Sequence, residues 1–192
     1  AFHNDNPSKT FRFAKTFVQH INIIEQGKLH ILENGDQLYR LGIVSEGAVS
    51  LNFTFSYYYL PPGATLFIYN PDKTQCLGAF TNKNNKQSKV LPVGLIESDM
   101  AVFEYYQPAN APFGGQLIIE RIGHGYRDIS GELTAKDGQY GQSGYCNVNV
   151  ACEEADGWEN QVNSVFRIIT NNSSLCSGAL INNTEHNGTP YI

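Results

Sequence analysis

The feature of this 192-residue sequence that most constrains its fold is a run of strict alternation at residues 51–59. The odd-numbered positions are all large and apolar or aromatic: Leu51, Phe53, Phe55, Tyr57 and Tyr59. The even-numbered positions form the opposite face: Asn52, Thr54, Ser56 and Tyr58. A period of two predicts a half-buried β-strand with the odd-numbered face toward the core. The strand must end at Leu60-Pro61-Pro62-Gly63, since proline has no N–H for a β-ladder.

Several other short segments, bounded by Gly, Pro, Asn or Asp, also have strand character. They are Gln37–Val44, Thr65–Tyr69, Gln75–Phe80, Val90–Val93, Met100–Tyr106 and Gln116–Ile122, with less regular alternation at 12–18 and 19–24. Thr65–Tyr69 is apolar on both faces, so we expect it inside a sheet. The eleven Tyr and eleven Phe also favour strands. The sequence therefore predicts an all-β protein whose residues 1–127 form an antiparallel, jelly-roll-like β-sandwich.

Charge and glycine content divide the chain further. Residues 1–127 carry eleven Lys/Arg and ten Asp/Glu (+1), and residues 128–192 carry two and eight (−6), which sum to −5. The Gly-rich stretch 128–145 predicts an exposed linker. A second apolar segment follows at 146–192, and within it residues 153–165 are the candidate for one helical turn. No basic cluster suits nucleic acid; Lys83, Lys86 and Lys89 are typical of a solvated loop.

The sequence contains no strong cofactor or metal motif. Its five histidines are scattered, without metal-ligand spacing, and Gly123-His124-Gly125 is too short for a phosphate loop. We therefore predict no cofactor and no metal. No apolar run approaches the roughly 18 residues that span a membrane, and the N-terminus has no signal-peptide pattern. The Asn-x-Ser/Thr sequons, including those at Asn52, Asn171 and Asn172, arise easily in an Asn-rich chain and decide nothing.

Two groups of aromatic residues allow a second interpretation. Residues 57–59 and 105–106 are consecutive tyrosines, which could stack on sugars. Because alternate members of a strand must face inward, core packing is the favoured interpretation of these clusters. A carbohydrate-binding or adhesion module, with Tyr58 and Tyr106 as its platform, remains the alternative.

The cysteines concentrate at one end of the chain. Cys76 stands alone, whereas Cys146, Cys152 and Cys176 all lie in the last segment. Three cysteines in a short span predict part of a disulfide framework and hence an oxidising compartment. Three reduced thiols in a cytosolic protein are the alternative.

The cysteine-containing segment resembles a known family. Residues 143–152, SGYCNVNVAC, resemble the mature N-terminus of secreted bacterial lysyl endopeptidases, which are chymotrypsin-like serine proteases. Residues 175–184, LCSGALINNT, are similar to that family's segment before the catalytic histidine, and 60–69 and 124–127 are similar to its pro-region. The resemblance implies a pro-domain, a linker with an activation site, and the first strands of a protease β-barrel at 146–192. In the family, the disulfide partners of cysteines matching Cys146, Cys152 and Cys176 lie further along the chain.

The departure from the family concerns catalysis. The sequence has no Gly-Asp-Ser-Gly-Gly motif, and it stops at Ile192, where the family continues into Leu-Thr-Ala-x-His-Cys. We therefore expect a truncated precursor without its catalytic triad, inactive as it stands. The resemblance implies a secreted pro-region, its signal peptide removed, that assists folding of its own protease domain and keeps it latent; the full-length enzyme would cleave proteins. A stand-alone protease inhibitor is a further alternative.

Two bonds in the linker are candidate activation sites. Cleavage at Lys136–Asp137 would suit self-processing by a lysine-specific enzyme, and cleavage at Tyr140–Gly141 would leave Gly141 where the family's mature chain begins. The segment after the linker has few large apolar side chains. We expect residues 146–192 to be ordered only by docking on the sandwich or on a neighbouring chain.

Overall fold

The computed structural model describes residues 11–129, 152–181 and 184–185. These residues belong to two compact units. The larger unit consists of residues 13–127 together with 171–173, and the described residues of the smaller are 11–12, 128–129, 152–170, 174–181 and 184–185. All but the first two residues of the expected linker, 128–145, lie outside the described residues.

The larger unit contains nine strands, one short α-helix and a 3-10 turn at Asn82–Asn84. In chain order the strands and the α-helix are β1 (Ala14–Asn22), α1 (Ile23–Gln26), β2 (Lys28–Ile31), β3 (Gln37–Val44), β4 (Ser50–Tyr59), β5 (Thr65–Tyr69), β6 (Cys76–Phe80), β7 (Leu91–Pro92), β8 (Met100–Gln107) and β9 (Gln116–Gly125). The predicted strands at 37–44 and 65–69 match β3 and β5 residue for residue. Strand β2 was not predicted, although Lys28-Leu29-His30-Ile31 alternates polar and apolar residues, because the run is only four residues long and all four are exposed.

The strands form two antiparallel sheets, a four-stranded one in the order β1-β9-β4-β7 and a five-stranded one in the order β2-β3-β8-β5-β6. Strand β1 pairs with β9, β3 with β8, β4 with β7 and β5 with β6. This nested pairing is that of one long antiparallel hairpin rolled into two sheets, which defines a jelly roll. The all-β, antiparallel sandwich expected from the sequence is confirmed.

The core lies between the inner faces of the two sheets. Phe103 of β8 is fully buried and meets Phe53 of β4 edge-on, with ring centroids 4.9 Å apart. Its ring also lies 6.2 Å from that of Phe55. Such edge-to-face pairs add to the stabilisation gained by burying apolar area. The aliphatic residues of the same cluster include Leu51, Leu66, Ile68, Leu117 and Ile119.

One detail of the predicted strand at residues 51–59 is wrong. The pairing of β4 with β9 shifts register between Thr54 and Phe55 and again between Phe55 and Tyr57. A β-bulge adds a residue to one strand and so reverses the alternation beyond it. Consequently Tyr58 is 1% exposed and lies in the core, while Tyr57 and Tyr59 are only half-buried.

The described part of the smaller unit contains a single 3-10 turn (Glu153–Ala155), the helix α2 (Glu159–Ser164), and strands β10 (Val165–Thr170) and β11 (Ser174–Ala179). The two strands pair as an antiparallel hairpin. Among the described residues, none of the buried hydrophobic side chains comes from 152–181. The expectation that residues 146–192 are ordered only by docking stays a prediction.

Candidate functional site

A row of small and polar residues crosses the outer face of the four-stranded sheet. Thr16 of β1 lies opposite Gly123 of β9, which in turn lies opposite Asn52 of β4. Thr54 follows two residues after Asn52, on the same face of β4. Asn52 is on the side that the alternation marks as solvent-facing, and yet it is only 1% exposed. Something must therefore cover this part of the sheet.

The cover is the turn that joins β10 to β11, residues 171–173, which groups with the larger unit. Asn171 and Asn172 both have positive φ angles, 51° and 58°. Asparagine tolerates this left-handed region better than other residues with a side chain, so the Asn-Asn pair suits a tight hairpin turn. Asn171 is exposed, whereas Asn172 is 7% exposed.

The backbone of the turn accepts hydrogen bonds from the sheet. The hydroxyl of Thr16 donates to the carbonyl of Asn171 at 2.6 Å, and Asn52 Nδ2 donates to the carbonyl of Asn172 at 3.2 Å. The carbonyl of Ser173 accepts from the backbone N–H groups of Phe13 and Ala14 at 3.0 and 3.2 Å. All three carbonyls of the turn are thus satisfied.

The side chain of Asn172 makes two further hydrogen bonds. Its Nδ2 donates to Asn52 Oδ1 at 2.6 Å, and its Oδ1 accepts from the Thr54 hydroxyl at 2.9 Å. The two asparagines are therefore bonded reciprocally, with both amides buried. Because an unpaired buried amide costs about 1–3 kcal/mol, this arrangement depends on every partner being present. We call Asn52, Thr54 and Gly123 the Asn172 receptor.

Gly123 provides the space for this contact. A Cβ at this position would overlap the carbonyl oxygen of Asn172 and Nδ2 of Asn52. The absence of a side chain thus leaves a depression between Thr16 and Asn52 in which the turn sits. A glycine in a strand often marks such a close backbone approach.

A second polar network lies at one end of the five-stranded sheet. Asp36 accepts hydrogen bonds from the Tyr106 hydroxyl, from the backbone N–H of Ala109 and from Asn34. The bond from Tyr106, followed by that from Ala109, holds the pKa of Asp36 below its usual value of 3.8. The same carboxylate raises the pKa of Tyr106. Both side chains are engaged with each other and stabilise this end of the sheet.

One serine and one histidine of the sandwich are also close. Ser45 Oγ lies 2.8 Å from His124 Nδ1, and the ring of Phe17 packs against His124 edge-on. A serine nucleophile needs a histidine that is itself oriented, usually by a carboxylate. In the described part of the chain, no carboxylate is hydrogen-bonded to His124, so this pair is best understood as a structural hydrogen bond.

The candidate site residues from the sequence are only partly described. Lys136, Tyr140, Gly141 and Cys146 lie outside the described residues. Cys152 and Cys176 are exposed, free thiols, as is Cys76. Within the described ranges no cluster of His, Cys, Asp or Glu could hold a metal, and no helix is long and apolar enough to cross a membrane.

The proposed sugar platform is wrong for Tyr58. This side chain is in the core and donates a hydrogen bond to the carbonyl of Thr81 at 2.8 Å. Burial raises the pKa of its hydroxyl. On the outer face, the ring of Tyr59 stacks on Phe113 with centroids 5.3 Å apart, but Lys89 Nζ lies 3.3 Å from the Tyr59 ring centre. A sugar would have to displace this ammonium group.

Comparison with known proteins concerns the end of the chain. Residues 140–192 match the family model for the lysyl endopeptidase C-terminal domain. The match covers the cysteine-containing segment and supports a relation to that protease family. It also contains the turn at 171–173, whose contacts with the sheet are described above.

Sequence reasoning missed the Asn172 receptor. The alternation predicts that Asn52 and Thr54 face solvent, and the sequence around Gly123 offers only a weak glycine motif. The one available signal was Asn171-Asn172 between two apolar segments, a typical hairpin turn. It predicts the turn but not the surface that binds it.

Proposed function

We propose that the β-sandwich of residues 13–127 is the pro-region of a secreted, lysyl-endopeptidase-like serine protease. In this role it assists folding of the protease portion and holds it latent until the linker is cleaved. The 192-residue chain itself has no Lys-specific peptidase activity, because its sequence carries no Gly-Asp-Ser-Gly-Gly segment for a nucleophile. The partner of the sandwich is the protease domain, and the substrates of the complete enzyme are proteins.

One observation carries the proposal. The turn at residues 171–173 lies inside the stretch that matches the protease family, and it is hydrogen-bonded as an integral part of the sandwich unit. A protease segment whose polar groups are satisfied by the preceding sandwich is what a folding assistant requires. Because the described residues 152–181 contribute no buried hydrophobic side chain, their order depends on such outside contacts.

The decisive experiment is refolding in trans. A mature lysyl endopeptidase is denatured and then diluted with and without the 192-residue chain, and recovered hydrolysis of a Lys–X substrate is measured. We expect a higher yield with the chain, together with inhibition of the enzyme that has folded. The matched control is the same chain unfolded by heat. Equal yields and equal activities in all mixtures would contradict the proposal.

The activation bond is proposed from the sequence. The family match begins at residue 140, beside the Tyr140–Gly141 bond, and Lys136–Asp137 lies four residues earlier. N-terminal sequencing of the processed protease identifies the bond, and a first residue outside 137–141 would eliminate both. We further propose that Cys146, Cys152 and Cys176 form disulfides with cysteines of the rest of the protease domain, consistent with the exposed thiols of Cys152 and Cys176.

The inhibitor alternative predicts the same effect on a mature enzyme. The coding sequence after Ile192 separates the two. His-Cys within about ten codons supports a protease precursor, whereas a stop codon at that point supports a stand-alone inhibitor. We also propose that the protein acts outside the cell, a proposal that the resemblance to a secreted family supports and that fractionation of the producing culture tests.

A further inference from the structure

We infer that the Asn172 receptor is a selective recognition site for asparagine in a left-handed turn. It is the means by which the sandwich identifies the segment of protease that it binds. The inference rests on the proposed function for its biological meaning, but its geometry belongs to the larger unit alone. The turn makes two kinds of contact with the sheet. The contacts to its backbone are general, and the contacts to the side chain of Asn172 are specific to asparagine and give the selectivity.

The general contacts involve only the backbone of the turn. The carbonyls of residues 171, 172 and 173 accept hydrogen bonds from Thr16, Asn52 and the amides of Phe13 and Ala14. Any sequence able to adopt the turn would offer these carbonyls. They contribute to affinity and place the turn, but they do not distinguish one side chain from another.

The specific contacts involve the side chain of Asn172. It must donate to Asn52 Oδ1 and, at the same time, accept from the Thr54 hydroxyl. Aspartate lacks the donor and would place its charge against Asn52 Oδ1, and glycine offers neither group. Glutamine would carry its amide one methylene further out. Among these residues only asparagine has an amide at the required distance and also adopts a φ of 58° without large strain.

Burial makes this discrimination strong. Asn52 is 1% exposed and Asn172 is 7% exposed, so water cannot easily replace a lost partner. A site built from buried hydrogen-bonding groups rejects a ligand that leaves those groups unpaired. The neighbouring Asn171 has nearly the same φ, 51°, but is exposed. It therefore serves as a matched control within the same turn.

The test compares Asn172→Gly with Asn171→Gly in the full 192-residue chain, since glycine tolerates positive φ and introduces no backbone strain. The readout is hydrogen exchange at the backbone amides of Phe13 and Ala14, which the Ser173 carbonyl protects. Loss of two buried hydrogen bonds should accelerate their exchange about 10- to 30-fold in Asn172→Gly. Asn171→Gly should change it by less than about twofold. Equal effects of the two variants would overturn the inference.

A double-mutant cycle gives a second test. Thr54→Val preserves the shape of the side chain and removes the hydroxyl that binds Asn172 Oδ1. Alone it should accelerate the same exchange several-fold, and in the Asn172→Gly background it should add nothing. Thr16→Val removes a bond to the backbone of Asn171 and should act independently of Asn172→Gly. A Thr54→Val effect that persists undiminished in the Asn172→Gly background would overturn the inference.

This design separates two failures. The exchange measurements use the chain alone, so they report on recognition of the turn whether or not a protease responds. Absence of refolding assistance together with selective exchange would reject the proposed function and retain the recognition site. Assistance with refolding together with equal exchange in both glycine variants would retain the function and reject the site.

Discussion

Replacing Gly123 with alanine is the simplest way to displace Asn172 from the sheet. The added methyl group would overlap the Asn172 carbonyl oxygen and Asn52 Nδ2, neither of which is the flexible end of an exposed side chain. Since Gly123 already has an extended backbone within β9, the substitution introduces no φ strain. Its effect should come from displacement of the turn alone.

The magnitude follows from the bonds that are lost. If Asn172 is displaced while the bonds to Asn171 and Ser173 hold, three hydrogen bonds are broken. They are Asn52 Nδ2 to the Asn172 carbonyl, Asn172 Nδ2 to Asn52 Oδ1, and the Thr54 hydroxyl to Asn172 Oδ1. At about 1 kcal/mol each, their loss lowers the free energy of unfolding by roughly 3 kcal/mol. Alanine recovers about 0.5–1 kcal/mol relative to glycine in a strand. The expected net destabilisation is therefore about 2 kcal/mol.

The change in the free energy of unfolding is measured by urea unfolding. The signal is near-ultraviolet circular dichroism, which reports the buried tyrosines of the sandwich. The control is Gly94→Ala, whose new Cβ would meet Leu77 only at 3.9 Å, an ordinary contact. We expect that variant to stay within about 0.5 kcal/mol of the wild type. If Gly123→Ala is no more destabilising than Gly94→Ala, the turn does not occupy the depression and the reasoning fails.

Three further predictions concern other parts of the chain. Tyr58→Ala should lower the free energy of unfolding by about 3–5 kcal/mol because the side chain is buried, whereas Tyr57→Ala should cost less than about 1 kcal/mol; equal losses in urea unfolding would contradict the reversed alternation. The lowered pKa of Asp36 stabilises the fold above its unfolded value near 3.8, and this contribution is lost as the pH falls through the lower folded value. Thermal unfolding from pH 6 to pH 2.5 should therefore show a weaker dependence on pH in Asp36→Asn than in the wild type, and parallel curves would contradict this. Cys152 and Cys176, being exposed, should react with a maleimide in the native chain at rates similar to those in urea, and strong native protection would contradict the described exposure.

Much of the sandwich could be predicted because it depends on local pattern. Strand β3 is a segment with strand character bounded by turn residues, and β5 is a run of apolar residues on both faces. The bounds predicted for both strands match the structure residue for residue. Strand β2 alternates polar and apolar residues, but it is only four residues long and exposed along its length, so its local signal is weak. The reversal at Tyr58 also escaped prediction, since a bulge depends on the partner strand and not on the strand's own alternation.

The sequence by itself determined the fold class and the relation of residues 140–192 to lysyl endopeptidases. Alternation and proline-glycine turns are local signals, and family motifs are runs of neighbouring residues, so both can be read directly along the chain. Only the tertiary structure decided that Asn52 and Asn172, 120 residues apart, form a buried reciprocal pair. Neither asparagine is unusual in its own segment. They matter because strand register sets Gly123 beside Asn52 and leaves a space that the turn can fill.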